Sequence, residues 1–369
     1  MPRIVKVGSH ALTWRQALKD LRGDDLLLLT PGYYEVPNDL NLADVTIKGT
    51  GNAPEETVLL GSLKLSADSR YVNLDNLTLN TVKAEPNLQL PATADSYLSL
   101  RSTIIRGPHD HQGALVIDGK STVELYSVKL FGKIEVNDTA DFRLEMNDTQ
   151  VVNPKAGLLP SIGIHGQGTA IINNSQIAGR LFAYPDCDIE LDINNSQVEQ
   201  LTTAGRVWEN LLQTRITSKA SDAFFISGET YANVVSCQIA GTAALSQESR
   251  SIWQNTETQE LIADQQAKIT MTGCSVYAHA EFQGESEADL LRTSFASDGQ
   301  ADYYLAVLDH SRVKGSNLIL NSNNDLLTVR DEAVLRTSIM ASDRDELEVE
   351  CTKALNVNIF GIKWTAKKR

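Results

Sequence analysis

The chain has 369 residues, of which 42% are apolar, 22% charged and 6% aromatic, and its net charge is −14. This composition supplies enough apolar material for a sizeable core and excludes collagen-like and disordered classes. The four cysteines are too few for a small disulfide-stapled scaffold. No apolar run approaches the length of a membrane-spanning helix, so we expect no membrane partner.

The acidic residues are concentrated in the second half of the chain. Residues 1–184 carry 17 basic and 20 acidic side chains, whereas residues 185–362 carry 12 and 27. Because an acidic surface repels phosphate backbones, we expect no nucleic-acid partner. Such a surface favours solubility, and it can also attract a basic partner or Ca²⁺. No set of residues in the sequence supports a Ca²⁺ site, so we predict no cofactor and leave metal binding undetermined.

The beginning of the sequence and the cysteines both bear on localisation. Met1-Pro-Arg-Ile-Val lacks the apolar segment and small-residue cleavage site of a secretory signal. The cysteines stand singly, with no CxxC pair and no spacing typical of metal ligands. Both observations favour a cytoplasmic localisation, where thiols stay reduced.

Residues 11–23 have the pattern of an amphipathic helix. Thr13 and Gln16 have the spacing of a capping box, and the apolar residues from Trp14 onward recur at helical spacing. The open end of a β coil needs cover, because unpaired strand edges attract other chains. We therefore predict that residues 1–44 form an N-terminal strand and helix cap, with Trp14 packed on the first turn of the coil.

From residue 100 onward one short pattern recurs: an apolar residue, one or two polar residues, a small Ser, Thr or Cys, any residue, and an apolar residue. The small residue stands at Ser102, Ser127, Thr149, Ser175, Ser196, Thr214, Cys237, Cys274, Thr293, Ser316 and Thr337. These positions span 235 residues in ten intervals, a mean of 23.5, and the interval from 237 to 274 is the longest. Short alternating segments between Gly, Asn and Asp are typical of strands and turns. The period predicts an all-β fold, a single-stranded right-handed parallel β-helix of roughly 13 rungs.

We expect the small residues to stack inside the coil, about 4.8 Å apart from one turn to the next. The Asn-Asn-Ser sequences at 173–175 and 194–196 predict a ladder of Asn side chains. Cys237 and Cys274 fall at equivalent positions in what the pattern indicates are adjacent turns. Stacked reduced thiols are expected there, with a disulfide as the alternative. Neither thiol has an activating neighbour in the sequence, so neither is predicted to be a nucleophile.

These patterns predict one domain over residues 1–369, without a linker. Residues 45–362 form the coils, residues 242–267 form a protruding insertion in the longest interval, and residues 363–369 form a basic tail. The insertion is interpreted either as a functional protrusion or as a tolerated loop.

The N-terminal segments carry a family resemblance. The sequences Asp25-Leu-Leu-Leu-Leu-Thr-Pro-Gly-Tyr-Tyr-Glu35, Val45-Thr-Ile-Lys-Gly-Thr-Gly51 and Thr57-Val-Leu-Leu-Gly61 resemble the opening of pectin-lyase-fold proteins. The resemblance implies a right-handed parallel β-helix over essentially the whole chain. It does not select an activity, because esterases, lyases, epimerases and non-enzymatic members share this opening. The other characteristic sequences of pectin methylesterases are absent, which disfavours the esterase branch.

The densest polar cluster is Arg106-Gly-Pro-His109-Asp110-His111, directly after an apolar segment. It resembles the Asp-Pro-His-Asp motif of mannuronan C5-epimerases. The resemblance implies that His109 and Asp110 are acid–base groups and that Arg106 neutralises a uronate carboxylate. Gly107 departs from the motif, since that family has a catalytic Asp at this position. The other interpretation is a polar turn with solvated histidines.

A second candidate pair is Asp309 and His310, in Val307-Leu-Asp-His-Ser311. This stretch resembles an Asp-His segment of pectate lyases, in which the pair lies near the calcium ion and the substrate groove. The Arg-x-Pro-x-x-Arg sequence of those lyases is absent. We therefore predict a turn at Asp309 and His310, which are weaker catalytic candidates than His109 and Asp110.

Two functional hypotheses follow. The first is a non-enzymatic β-helix scaffold that binds a protein or glycan partner along its flat face, and the absence of a complete catalytic set favours it. The second is a carbohydrate-active enzyme, a C5-epimerase or lyase acting on polyuronates, with His109 and Asp110 as acid–base groups. The sequence does not determine whether the protein is an enzyme, nor its oligomeric state.

Overall fold

A computed structural model describes residues 3–8, 11–38, 40–67, 69–81, 86–92, 95–107, 113–153, 159–219, 222–296, 303–321, 326–342 and 345–367. The fold is an all-β parallel solenoid of about 15 turns rather than 13. The number of turns is higher because several turns are shorter than the mean spacing of the sequence pattern. Within the described ranges, no helix is long and apolar enough to cross a membrane.

The chain divides into two compact units, residues 1–192 and residues 193–369. The described residues of unit 1 contain one helix, α1 (Trp14–Lys19), a 3₁₀ turn at Pro54–Glu56, and short strands. Its strands are β1 (Ile4–Val7), β2 (Leu26–Leu29), β3 (Gly32–Glu35), β4 (Asn41–Leu42), β5 (Val45–Gly49), β6 (Thr57–Leu60), β7 (Leu63–Leu65), β8 (Tyr71–Asp75), β9 (Thr78–Asn80), β10 (Leu88–Gln89), β11 (Asp95–Arg101), β12 (Ile104–Arg106), β13 (Leu115–Ile117), β14 (Lys120–Tyr126), β15 (Lys129–Phe131), β16 (Ile134–Val136), β17 (Asp141–Asn147), β18 (Gln150–Val152), β19 (Ile162–Ile164), β20 (Gln167–Asn173) and β21 (Gln176–Ala183). The boundary between the units falls inside β22 (Asp188–Asn194).

The strands of unit 1 pair in parallel and form three stacks. The first stack is β1, β2, β5, β8, β11, β14, β17 and β20. The second contains β3, β6, β9, β12, β15, β18 and the start of β21. The third contains β4, β7, β10, β13, β16, β19 and the end of β21. From β2 to β19 each turn therefore contributes one strand to every stack, and in the following turn β21 contributes to two stacks.

Unit 2 repeats this arrangement with longer strands and a 3₁₀ turn at Ala354–Asn356. Its strands are β23 (Gln197–Thr203), β24 (Arg206–Leu212), β25 (Arg215–Ile216), β26 (Phe224–Ile226), β27 (Tyr231–Val235), β28 (Gln238–Leu245), β29 (Arg250–Gln254), β30 (Glu257–Ala263), β31 (Lys268–Thr272), β32 (Ser275–Phe282), β33 (Glu287–Leu291), β34 (Ser294–Ala296), β35 (Tyr303–Val307), β36 (Arg312–Asn321), β37 (Leu326–Val329), β38 (Val334–Ser342), β39 (Glu346–Cys351), β40 (Val357–Phe360) and β41 (Lys363–Lys367). The first stack of unit 2 contains β24, β27, β29, β31, β33, and parts of β36 and β38, then β40. Strands β28, β30 and β32 each take part in both of the other stacks.

A recurrent corner explains the sequence pattern. A residue with a left-handed backbone conformation, such as Asp148 (φ 51°), precedes a buried small residue such as Thr149. The Thr149 hydroxyl donates to the carbonyl oxygens of Leu125 (3.2 Å) and Asn147 (3.1 Å), so it satisfies backbone groups inside the corner. The pattern of small residues is confirmed at most positions. Ser102, Ser127 and Ser316 are exceptions, because they are exposed and the inward residues are Thr103, Val128 and Leu318.

One step of the kind predicted for an Asn ladder is present in unit 1, between Asn173 and Asn147 of the preceding turn, whereas a step from residues 173–175 to residues 194–196 stays a prediction. The side-chain amide of Asn173 donates to the Asn147 side-chain oxygen at 3.1 Å, between paired positions of β17 and β20. Asn, Asp, Ser and Gln also occupy most left-handed corner positions, where Asn and Asp tolerate the conformation better than most residues. These residues therefore mark the corners.

The predicted insertion at 242–267 is wrong. These residues contain the end of β28 and all of β29 and β30, which pair with their neighbours in parallel. Thr256 stands at the inward corner position, with Asn255 (φ 49°) before it, and its hydroxyl donates to the carbonyl oxygens of Val234 and Gln254. The pattern search missed this corner because a polar residue, Thr258, follows where an apolar residue was required.

The cysteine prediction changes for the same reason. Cys237 and Cys274 do not lie in adjacent turns, since Thr256 stands between them: the Cys237 N–H donates to Thr256 Oγ1 and the Ser275 N–H to the Thr256 carbonyl. All four cysteines are free and buried. Burial raises the pKa of the Cys237 thiol to about 11 and raises that of Cys274, which agrees with the absence of a predicted nucleophile.

The two predicted ends of the coil are also revised. The helix is shorter than predicted, Trp14–Lys19, although the capping box of Thr13 and Gln16 is present. The solenoid pairing begins with β1 and β2, upstream of residue 45. At the other end, residues 363–367 are not a tail but strand β41, paired with β39.

Candidate ligand-binding face

The first stack of unit 2 presents one side of every strand outward. In β29, for example, Ser251 and Trp253 are buried whereas Arg250, Ile252 and Gln254 are not, because successive side chains of a strand point to opposite faces. The parallel register aligns the outward residues of neighbouring strands in columns, about 4.8 Å apart from strand to strand. We call two columns of these outward side chains, on β24, β27, β29, β31, β33, β36 and β38, the basic face of unit 2. Arg206, at the start of β24, lies outside these columns and pairs with Glu229.

Two columns contain the chemistry of this face. The first column is Trp208, Tyr231, Arg250, Lys268, Glu287, Arg312 and Val334. The second column, two residues further along each strand, is Asn210, Asn233, Ile252, Thr270, Asp289, Lys314 and Arg336. The face therefore holds five cationic side chains and two carboxylates, although residues 185–362 carry 12 basic against 27 acidic side chains.

An aromatic pair lies on the first two strands of the face. The ring centroids of Trp208 and Tyr231 are 5.2 Å apart and the rings are tilted by 44°. Trp208 is 57% exposed, which is unusual for so large an apolar side chain. Aromatic side chains on a polar surface provide flat, weakly hydrated contact area for a ligand.

A shallow cleft lies at the other side of the face. It has a volume of about 500 Å³ and is lined by residues of β33, β36 and β38: Glu287, Ala288, Asp289, Arg312, Val313, Lys314, Val334 and Arg336. Three of the five cations of the face line this cleft. The cleft is therefore an anion-attracting surface with two carboxylates at one side.

The charges of the face are only partly compensated. Lys268 Nζ lies 2.9 Å from Glu287 Oε2. The hydrogen bond from Lys268 lowers the pKa of Glu287 from its ordinary value against partial burial, with further lowering by the charges of Lys268, Arg312 and Lys314. Within the part of the chain that the structure describes, Arg250, Arg312, Lys314 and Arg336 form no ion pair. These four cations remain available to an anionic ligand.

A second polar cluster lies in unit 1, at the ends of β19 and β21. The ring of His165 stacks on Tyr184, with centroids 3.8 Å apart and planes 12° apart. His165 Nδ1 lies 3.1 Å from both carboxylate oxygens of Asp186, and Nε2 lies 4.0 Å from Glu135 Oε1. Glu135 in turn pairs with Lys133. Burial and the Glu135 charge raise the pKa of Tyr184.

This cluster resembles an acid–base arrangement in its geometry. A carboxylate at Nδ1 assigns the proton of a neutral His165 ring to Nδ1 and leaves Nε2 as the basic nitrogen. No sequence motif marks these residues, because they come from three turns of the solenoid. Over the described ranges, no group of three or more His, Cys, Asp or Glu side chains could hold a metal ion.

The main catalytic candidates from the sequence fall partly outside the described residues. His109, Asp110 and His111 lie in residues 108–112, which the structure does not describe. Arg106 ends β12, is exposed, and places its guanidinium 5.8 Å from the centre of the Phe131 ring. Its role as a carboxylate neutraliser stays a prediction.

Asp309 and His310 occupy a two-residue turn, as predicted. Asp309 has φ 59° and its carboxylate accepts a hydrogen bond from the Gly284 N–H at 2.9 Å, while the His310 N–H donates to the Gly284 carbonyl. The Asp309 carboxylate thus stabilises a stack of similar turns. Four of these turns, at 228–229, 247–248, 265–266 and 284–285, line another cleft of unit 2, of about 660 Å³.

The basic face itself was not predicted from the sequence. Its members lie in different turns, so only the register brings them together. Because residues 242–267 were interpreted as a protrusion, Arg250 and the rest of β29 were not predicted to belong to the coil. The signal that could have found the face was the alternation of charged and buried residues in β31, β33 and β36.

Comparisons with known proteins add little. No protein-family model matches the chain, and no curated protein matches it. Among solved structures, the PL6 family alginate lyase AlyGC is similar at 8% sequence identity and a TM-score of 0.24, with 100% of both chains covered. A likeness this weak carries no argument about the activity of this chain.

Proposed function

We propose that this protein binds an anionic polysaccharide on the basic face of unit 2. The observation that carries the proposal is the alignment of the Trp208–Tyr231 pair with cationic side chains on consecutive strands of one stack. The proposal keeps the glycan partner of the scaffold hypothesis and assigns it to this face.

The chemistry of the face favours a carbohydrate over other polymers. Aromatic rings pack against the C–H faces of pyranose rings, and Arg and Lys side chains pair with carboxylates or sulfates. Single-stranded nucleic acids also use aromatic and basic residues. However, the carboxylates of Glu287 and Asp289 lie among the cations, and the surrounding half of the chain is strongly acidic. Both features oppose a phosphodiester chain, in which every residue is charged, more than they oppose a polysaccharide that also contains neutral sugars.

The proposal is tested by affinity electrophoresis and calorimetry with polygalacturonate, its partly methyl-esterified form, alginate and neutral dextran. We expect binding to at least one anionic polymer and none to dextran. The triple variant Arg312→Ala/Lys314→Ala/Arg336→Ala should lose affinity by about 100-fold, since each lost charge contact costs roughly 1 kcal/mol.

The matched control removes three cations from unit 1, in the variant Lys48→Ala/Lys120→Ala/Arg143→Ala. These side chains pair with Asp75, Asp95 and Glu145, so the control has the same change in net charge without touching the basic face. An equal loss in the control, no binding to any anionic polymer, or tighter binding of a single-stranded oligonucleotide would contradict the proposal.

A second candidate function is acid–base chemistry on a polyuronate, as an epimerase or lyase. The His165–Asp186 contact is the specific observation in its favour, and His109, Asp110 and Arg106 remain its sequence-derived residues. The test is incubation with alginate and polygalacturonate, followed by absorbance for an unsaturated lyase product and by NMR for an epimerised one. Loss of turnover in His165→Ala or in His109→Ala would identify the cluster that acts, and no turnover by the wild-type protein would exclude this function.

The finer description of the fold is also proposed. We infer a right-handed coil, which is the usual hand of a connection between parallel strands, with the pectin-lyase fold that the N-terminal segments resemble. Helix α1 would cover the first turn, because Trp14 is buried against Tyr34 and its indole N–H donates to the Glu35 carbonyl at 2.7 Å. Covering an edge in this way limits pairing with other chains.

A further inference from the structure

The basic face of unit 2 is interrupted by one acidic strand. Arg250 and Lys268 stand on the two strands before it, and Arg312 and Lys314 on the strand after it. The interrupting strand, β33, presents Glu287 in the first column and Asp289 in the second. Both outward charges of this strand are therefore negative, while those of its neighbours are positive.

The spacing of these strands matches the repeat of a polysaccharide. A ligand that crosses the stack meets a new strand about every 4.8 Å, so Lys268 and Arg312 lie about 10 Å apart along its path. One pyranose unit of an extended chain advances by about the same distance as one strand. Successive sugars would therefore face a cationic strand, the acidic strand β33, and a cationic strand again.

The surroundings of Glu287 favour its charged form. Glu287 accepts a hydrogen bond from Lys268 and lies in the field of Arg312 and Lys314. Asp289 pairs in register with Thr270 on one side and Lys314 on the other. A ligand carboxylate placed over β33 would meet two like charges, which opposes binding, whereas a neutral sugar there would meet two hydrogen-bond acceptors.

We propose that β33 selects a glycan in which the sugar over Glu287 and Asp289 is uncharged and the sugars on either side are anionic. This inference rests on the proposed function, because it names the class of glycan bound at the same face. The ligand is then a polymer of alternating or interrupted charge, rather than a uniformly charged polyuronate.

The test compares two forms of one polymer, fully ionised polygalacturonate and the same polymer partly methyl-esterified, so that only the density of carboxylates differs. The wild-type protein should bind the esterified form at least as tightly as the fully ionised form. In Glu287→Gln/Asp289→Asn, affinity for the fully ionised polymer should rise by about tenfold. Affinity for the esterified form should change much less, because its neutral sugars already occupy the position over β33.

The matched control is Glu248→Gln/Glu285→Gln, which removes two carboxylates of unit 2 that line the other cleft. Equal gains for both polymers, or the same gain in the control, would show an effect of net charge alone and overturn the inference. If the wild-type protein binds neither form of polygalacturonate, the inference is also overturned. The proposed function is then decided by the measurement with alginate. Thermal unfolding of each variant confirms that its fold is intact.

Discussion

The first stacks of the two units differ in how far their outward cations are ion-paired. In unit 1, outward cations are compensated within the face: Lys48 pairs with Asp75, Lys120 with Asp95, and Arg143 with Glu145. The guanidinium of Arg101 lies 5.0 Å from the centre of the Tyr126 ring. In unit 2, four of the five cations of the basic face form no ion pair among the described residues.

The units also differ in whether a buried carboxylate has a cationic partner. In unit 1, the buried carboxylate of Asp25 accepts hydrogen bonds from Arg3 at 2.5 and 2.9 Å, and this interaction lowers the pKa of Asp25. In unit 2, Glu209 is buried with a single hydrogen bond, from the Thr203 hydroxyl at 3.1 Å. Burial raises the pKa of Glu209 to about 8. A buried carboxylate beside a cation keeps its charge, whereas a buried carboxylate without a cationic partner is neutral in the folded protein until the pH approaches its raised pKa.

The largest expected effect is on the pH dependence of stability. The folded pKa of Asp25 is lowered, so its contribution is present above its unfolded pKa and is lost as the pH falls. The folded pKa of Glu209 is raised, so its contribution is present below about pH 4.5 and is lost as the pH rises towards 8. Hydrogen-exchange protection should therefore fall in unit 2, and not in unit 1, between pH 5 and pH 8.

The variant Glu209→Gln isolates this effect. It should raise the Tm of unit 2 at pH 8 by several degrees and flatten its pH dependence, because a neutral amide needs no proton. The control Glu199→Gln changes an exposed carboxylate in the neighbouring strand. An unchanged pH profile in Glu209→Gln would disprove the assignment.

The next effect concerns the aromatic pair. Trp208→Ala should weaken binding of an anionic polysaccharide by about tenfold, which corresponds to the loss of one exposed aromatic contact. Tyr126→Ala removes an aromatic side chain of the unit 1 face and should leave the affinity unchanged. Calorimetry with the tightest polymer of the panel measures both, and equal losses would remove the distinction between the two faces.

A smaller effect is expected for ionic strength. Binding to the basic face should weaken steadily as salt rises, since exposed charges are screened over about 10 Å at 0.1 M. The triple variant Arg312→Ala/Lys314→Ala/Arg336→Ala should lose most of this dependence. A salt dependence retained in the triple variant would locate the ligand elsewhere.

The smallest effect is on stability at the surface. Arg143→Ala breaks a pair with Glu145 and should cost about 0.5 kcal/mol in the free energy of unfolding. Arg312→Ala breaks no pair and should leave this free energy unchanged or slightly raised. Chemical denaturation measures both, and a larger loss for Arg312→Ala would indicate a contact within the protein rather than with a ligand.

The fold was accessible from the sequence because its corners repeat. The small inward residues and the left-handed residues before them are visible as a pattern, and this pattern predicts the parallel solenoid. The pattern failed at Thr256, because Thr258 stands where it requires an apolar residue. As a result, a regular turn of the solenoid was interpreted as an insertion. Residues 363–367 also form a strand that their basic composition concealed.

The candidate site was less accessible, for a physical reason. A face of a solenoid is composed of residues about one turn apart, and their alignment depends on register, which varies with the length of every turn. Arg250 and Lys268 are neighbours only because the corner at Thr256 is regular. The pair of His165 and Asp186 is equally distant in sequence, whereas the local motif around His109 attracted attention because its members are contiguous.

The regular turn at residues 250–267 has a consequence for the evolution of the protein. Arg250 of β29 is in register with Lys268 of β31, so residues 250–267 make up one complete repeat. Its removal would join Ser249 to Lys268. Its loss or duplication would shift the aromatic pair relative to the acidic strand by one step and leave the remaining pairings in place. Whole turns of the solenoid can therefore be removed or added without disrupting the pairing of the others. Its length can be adjusted to the repeat of a new polymer without a new fold.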